Sequence, residues 1–227
     1  MDIHNYEAWY EKSRKRLENS DISAHNKKLI LDYVSDLILK NLSRPRLMKY
    51  MEILGTTAKR LEKDFDKITE TDLKGYISSI QQRVNYSPWT KQTYKVIIRR
   101  FYQWLHGMEG HDYPSIVKWI NIRFSRSEQK LPSEGDLLTE EEVKKMIDAA
   151  FHPRDKAFVA IMWESGARIG EIGNITIKNI SSDKYGVVLT LSGKTGSRKV
   201  RLIWSVPYLM TWLNCHPFKG NPDAPAW

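Results

Sequence analysis

The chain has 227 residues, 41% hydrophobic and 28% charged, a balance that suits one substantial core or two small ones and excludes a disordered or fibrous chain. Lys and Arg number 36 against 27 Asp and Glu, and the net charge of +9 favours a polyanionic partner such as nucleic acid. Its single cysteine, Cys215, excludes an intramolecular disulfide framework and a Cys-based zinc cluster, and without a signal-peptide pattern or a run of about 20 apolar residues the protein is expected to be soluble and cytoplasmic.

Residues 1–124 read as successive helices. Leu29, Ile30, Tyr33, Val34, Leu37 and Ile38 recur at i, i+3 and i+4, which predicts a buried stripe. Ser43 before Arg44-Pro45 suits a helix start, and Leu47, Tyr50, Met51, Leu54, Ala58 and Leu61 continue the apolar face, with Gly55 weakening the helix but not breaking it. Thr69 or Thr71 can cap a further helix whose inward positions are Leu73, Tyr76, Ile77 and Ile80. Ser87-Pro88 opens the next one. It places Tyr94, Ile97, Ile98, Phe101, Trp104 and Leu105 on one side and leaves Lys91, Lys95, Arg99 and Arg100 on the remaining positions.

Ser125–Asp136 is polar, contains Pro and Gly and lacks periodicity, so it is predicted to link a domain over 1–124 to another over 137–227. Thr139-Glu140-Glu141-Glu142 then forms a capping box ahead of Val143, Met146, Ile147 and Ala150. A helix over 154–165 and a short one over 168–173 follow. The period then changes: 185–191 and 200–203 are rich in β-formers and flank Ser192-Gly193-Lys194-Thr195-Gly196, which predicts a β-hairpin. A last amphipathic segment over 208–213 precedes 221–227, where two prolines indicate a loop, and a chain stopping in mid-loop reads as a truncated domain. Trp104, Trp119, Trp163 and Trp204 occupy apolar-face or strand positions and are assigned to packing.

Two places carry chemistry. Arg168 follows a glycine turn at a helix start, with Glu171 three residues on and on the same face, so the carboxylate can orient a guanidinium whose planar fork matches phosphate oxygens. Lys194 stands at the hairpin tip, where a long cationic side chain can reach a DNA groove or a leaving oxygen. Taken singly, Arg-x-x-Glu occurs widely by chance and reads first as an ordinary helical ion pair, and Lys194 reads as a solvated turn lysine. Arg44, Arg46 and Lys49, and Thr90, Lys91, Lys95 and Arg99 on the two-faced helix, are candidate DNA contacts, mostly to the backbone, or else solvated helix faces.

Ser-Gly-Ala-Arg-Ile-Gly-Glu-Ile, followed 26 positions after its arginine by the lysine of Gly-Lys-Thr-Gly-Ser-Arg-Lys-Val-Arg-Leu-Ile, resembles the catalytic domain of the tyrosine recombinase (phage integrase) family, and residues 186–227 resemble archaeal, mobile-element integrases in particular. The helical first half resembles that family's SAM-like core-binding domain. The resemblance implies a mainly α fold, a helical domain followed by the N-terminal part of an α+β catalytic domain, the two clamping duplex DNA. It implies that Arg168 binds the scissile phosphate, Lys194 protonates the leaving 5′ oxygen, Glu171 supports them, and Arg198 in the hairpin joins the DNA-contact set. It further implies site-specific recombination through a 3′-phosphotyrosine, assembly as a tetramer on two double-stranded sites, and no metal, nucleotide or other cofactor. None of the six histidines has an arginine three residues on, and no tyrosine follows Tyr208, so the His-x-x-Arg box and the nucleophile are not recognisable in this sequence. These 227 residues are therefore expected to bind DNA without cleaving it. A stand-alone module that occupies recombination sites and modulates a full-length integrase is the alternative, and a structural helical domain with incidental basicity the third reading.

Overall fold

The computed structural model describes residues 5–123, 133–193 and 196–227. The chain divides into two compact units, Asn5–Leu131 and Pro132–Trp227. Most of the segment expected to be a linker, and Lys194 with Thr195 at the hairpin tip, lie outside the described residues.

The first unit is helical throughout: α1 (Tyr6–Glu18), α2 (Ala24–Leu39), α3 (Arg44–Leu61), α4 (Glu70–Gln81), α5 (Pro88–Leu105) and the single turn α6 (Ser115–Lys118). Starts follow the capping signals. Thr69 exchanges hydrogen bonds with Asp72 in a full capping box, which selects Thr69 over Thr71, and Ser87 Oγ accepts the Thr90 N–H just ahead of Pro88. Helix α3 runs through Gly55 unbroken. Its inward residues meet those of α5 and α2 around Leu47, Leu54, Ile98 and Phe101, all fully buried. Tyr33, Phe65 and Trp104 surround Phe101 at centroid distances of 5.4, 4.6 and 5.8 Å, and each such ring pair adds about 0.5–1.5 kcal/mol to the area it buries. Helices α1 and α6 are not separated by periodicity, because α1 buries only Tyr10 and Leu17 along its length and α6 is a single turn.

In the second unit α7 (Glu140–Ala149) and α8 (Pro153–Ser165) pack on each other, α9 (Ile169–Gly173) makes a single turn, and strands β1 (Ile180–Asp183), β2 (Gly186–Gly193) and β3 (Gly196–Leu202) form an antiparallel meander before α10 (Val206–Asn214). Strand β1 is additional to the expected hairpin; three of its four residues are exposed, so it offers no apolar alternation to read. The register sets Val187 opposite Leu202, Leu189 opposite Val200 and Leu191 opposite Arg198. These pairs share the face that packs on Ile161, Ile172 and Leu209.

Two expectations change in this unit. Trp163 is 42% exposed: Ala157, Ala160 and Ile161 define the buried stripe of α8, and a residue two positions past Ile161 falls on the opposite side of the helix. The segment 221–227, though irregular, is fastened to the core: Ala224 and Ala226 are buried, the Trp227 indole N–H donates to the Ile172 carbonyl at 2.7 Å, and Ala226 N–H donates to Ile175 at 3.0 Å.

Candidate functional site

Helix α8 ends at Gly166, which takes φ 56°, a left-handed conformation that a side chain disfavours, and its N–H returns to the Met162 carbonyl. The chain can then reverse into α9, with Arg168 as the residue before its first turn. Glu171, 4% exposed, reaches back and accepts the Arg168 backbone N–H on Oε2 at 3.0 Å, while Oε1 accepts from Arg168 Nη1 at 3.1 Å. The expected orientation of Arg168 by Glu171 is thus present, and 67% of the arginine side chain stays exposed.

The same carboxylate has a second arginine partner that helix spacing did not reveal. Arg198 of β3 forks onto Glu171, Nη1 to Oε1 at 3.0 Å and Nη2 to Oε2 at 2.8 Å. Strand alternation contains the signal for it: Arg198 lies in register with Leu191 and on the same face as Val200 and Leu202, where an arginine requires a polar partner. Gly193 makes the approach possible, since a Cβ there would stand 2.5 Å from Glu171 Oε1. The Arg198 fork first, then the Arg168 backbone N–H, hold the Glu171 carboxyl down at about 2. Arg168, Arg198 and Glu171 together leave one net positive charge at the mouth of the hairpin. Lys194, the remaining residue of the expected set, lies outside the described residues.

A neighbouring carboxylate serves structure instead. Glu164 at the end of α8 accepts the backbone N–H groups of Ile203, Trp204 and Ser205 at 2.7, 3.0 and 2.9 Å, joining the exit of β3 to the start of α10. Burial works to raise its pKa, and the hydrogen bonds, that of the Ser205 hydroxyl foremost, overcome this and hold it below the usual range.

In the helical unit the candidate contacts have individual partners. Arg44 donates from Nε to Glu7 at 2.7 Å and lies 4.4 Å over the Tyr10 ring; Arg46 is exposed; Lys49 pairs with Glu52 at 3.1 Å. Thr90 belongs to the cap of α5, Lys91 Nζ donates to the Gln81 carbonyl at 2.7 Å, and Lys95 is half-buried. Arg99 lies 4.0 Å over the Tyr113 ring, with Arg100 at 5.9 Å on the same ring, and its buried Nε has no hydrogen-bond partner among the described residues. No cluster among the described residues has three side chains of metal-ligating type, and no described helix is long and apolar enough to cross a membrane.

Residues 136–214 match the phage integrase family. Tyrosine recombinase XerD of Vibrio vulnificus is 28% identical over 185 residues, covering 79% of this chain and 55% of that protein. The chain spans about half the length of the curated relatives it matches. Two solved structures share the fold: the XerH site-specific recombinase bound to palindromic difH substrate, with TM-score 0.62 and 19% identity over 98% of this chain and 72% of that one, and a lambda integrase dimer bound to a COC′ core site, with TM-score 0.63 and 15% identity over 95% and 62%. The Arg168–Glu171 turn and the β2–β3 hairpin both lie within the residues that match the phage integrase family.

Proposed function

We propose that this chain binds duplex DNA as part of a site-specific recombination system, with Asn5–Leu131 acting as the core-binding domain and Pro132–Trp227 contributing the phosphate-holding part of a catalytic domain. The observation that carries the reading is the exposed Arg168 guanidinium, fixed from behind by a buried carboxylate and left with one net positive charge through Arg198. A preorganised fork of this kind suits a phosphodiester, and at a scissile phosphate it would stabilise charge that develops during transfer. Lys194, as general acid to the 5′ oxygen, completes the proposed role of this unit. The two relatives solved with DNA support a DNA partner, and self-association on paired sites is proposed on the same footing.

We assign no covalent step to residues 1–227, because a 3′-phosphotyrosine link needs a nucleophile and no tyrosine follows Tyr208 in them. As a stand-alone module the chain would occupy sites and block a full-length recombinase added in trans.

Binding to duplex DNA across a salt series, paired with a covalent-adduct assay on a nicked suicide substrate, tests this. The expected result is a log K that falls steeply with log salt, by about 0.9 per phosphate contact, with no adduct. A flat salt response refutes the DNA reading. An adduct refutes the reading that residues 1–227 bind DNA without cleaving it.

A further inference from the structure

Glu171 is shared unequally by its two arginines. Arg198 engages both carboxylate oxygens with both Nη atoms, whereas Arg168 gives a single Nη to Oε1 and its backbone N–H to Oε2. Among the described residues nothing else bonds Arg168 Nε or Nη2. A forked guanidinium–carboxylate contact is the stronger of the two geometries, so Arg198 is the principal counter-ion of Glu171. The strands enforce this assignment: Arg198 arrives from the core-facing side of β3, and Gly193, opposite Gly196 on β2, leaves the carboxylate room where any side chain would displace it.

We infer that Arg198 is a positioning residue: by occupying both oxygens of Glu171, it keeps that carboxylate from closing onto Arg168 as a neutral pair, and so leaves Arg168 a charged, oriented fork for a phosphodiester. The inference rests on the proposed DNA reading for its ligand, but the contact itself is a property of the free protein. It revises the role first expected of Arg198. Its two terminal nitrogens face Glu171, and its effect on DNA passes through Arg168. Without Arg198, Glu171 keeps among the described residues one cationic partner, Arg168, three residues away on its own turn, and the pair it forms with that cation is neutral.

Charge rescue separates this from direct contact. Arg198→Ala is expected to weaken binding of a short duplex about tenfold near 0.1 M salt and to lower the salt slope by about 0.9, the signature of one lost phosphate contact. Glu171→Gln added to Arg198→Ala removes the carboxylate charge while keeping an oxygen for the Arg168 N–H, and is expected to restore most of the affinity and slope. A double variant as weak as Arg198→Ala overturns the inference in favour of direct contact, and an Arg198→Ala variant that binds like the unaltered protein overturns it outright.

Two NMR readouts on the free protein distinguish this failure from a failure of the DNA reading. The Glu171 side-chain carboxyl is expected to titrate near 2 in the unaltered protein and to move further towards the ordinary carboxylate range in Arg198→Ala than in Arg168→Ala. The Arg168 Nε–H resonance is expected to shift when Arg198 is removed. If neither moves, the inference fails whether or not DNA binds; if both move and no DNA binds, only its ligand is wrong. Arg198→Gln, which keeps the stem against the hairpin, replaces the alanine variant should that one melt early.

Discussion

Arg99 in the helical unit and the Arg168–Arg198 pair in the hairpin unit are held by different means. In the helical unit Arg99 lies on a tyrosine ring, 4.0 Å from Tyr113, and no ion pair to a carboxylate is present for it among the described residues. In the hairpin unit Arg168 and Arg198 share Glu171. A ring attracts the cation through its quadrupole without cancelling its charge, whereas a carboxylate cancels charge and returns direction. Under the proposed DNA reading, the ring seat of Arg99 supplies attraction and the shared carboxylate of Arg168 supplies aim, which suits a general phosphate contact at the first and a phosphate held in fixed geometry at the second.

The largest effect is expected from striking the shared carboxylate without touching any charged residue. Gly193→Ala places a Cβ 2.5 Å from Glu171 Oε1 and within 3.1 Å of Cγ and Cδ, so the Glu171 side chain must shift from the position in which it meets both arginines. With Arg168 no longer oriented and the Arg198 fork that positions it also disturbed, DNA affinity should fall on the order of a hundredfold near 0.1 M salt, read by fluorescence anisotropy. An affinity within threefold of the unaltered protein would mean that the orientation of Arg168 contributes little. The ring side breaks differently. Arg99→Ala should reduce affinity about tenfold and the salt slope by about 0.9, because one contact is lost and nothing is released to neutralise another. No second-site carboxylate change should rescue it, in contrast to Arg198→Ala.

The difference also governs what was legible in the sequence. Arg168 and Glu171 sit three residues apart on one turn, and such local pairs are visible in any helical reading. Helix starts at Thr69, Ser87 and Thr139 were legible for the same reason: a cap is a local competition for the first N–H groups. The contact of Arg198 with Glu171 spans 27 residues and two strands, and appears only once the hairpin register places Arg198 beside Leu191. Seating of Arg99 on Tyr113 likewise depends on the segment between α5 and α6 turning back onto α5. Glu164 reads as an ordinary helix-end carboxylate; its three backbone donors come from a bend about 40 residues on. Trp163 misled because size and apolarity mark a residue as fit for a core without saying which side of α8 faces it. Local chemistry was recoverable, and the non-local contacts that organise it were not.

Acid sharpens the comparison further. Glu171 is held at about 2 by Arg198 first, below the ordinary carboxylate value of about 4.3. A carboxyl depressed in the folded state contributes stability that is present above its unfolded pKa and lost as pH falls through the folded value. The window therefore runs from about pH 5 down to about pH 2. Melting temperatures of Arg198→Ala and the unaltered protein should differ most near neutrality and converge across that window, measured by circular dichroism at low salt. Asp183, held at about 2 by Arg201, and Asp72, held at about 2 by Lys63, keep their own acid response in both proteins, so convergence isolates Glu171. For Arg99→Ala the difference from the unaltered protein should stay level with pH, since a ring has no proton to gain there. A gap that narrowed equally in both variants would break the distinction between ring-seated and carboxylate-held arginines.

The smallest effect comes from repeating the glycine substitution in the helical unit. Gly75 lies on the exposed side of α4, and a Cβ there meets nothing within 4 Å. Gly75→Ala removes backbone freedom from the unfolded chain at no steric cost and should stabilise the protein by about 0.5–1 kcal/mol, seen as a small rise in the melting temperature of the helical unit, with DNA affinity unchanged. The same methyl at Gly193 occupies the space in which Glu171 meets its arginines. Opposite outcomes from one substitution would locate the precision of this protein in the hairpin unit's carboxylate, because general helix strengthening would then leave binding untouched while a displaced carboxylate removes it. If Gly75→Ala lowered DNA affinity as well, α4 would belong to the DNA-facing side of the helical unit, and the division of labour between attraction and aim would have to be redrawn to include it.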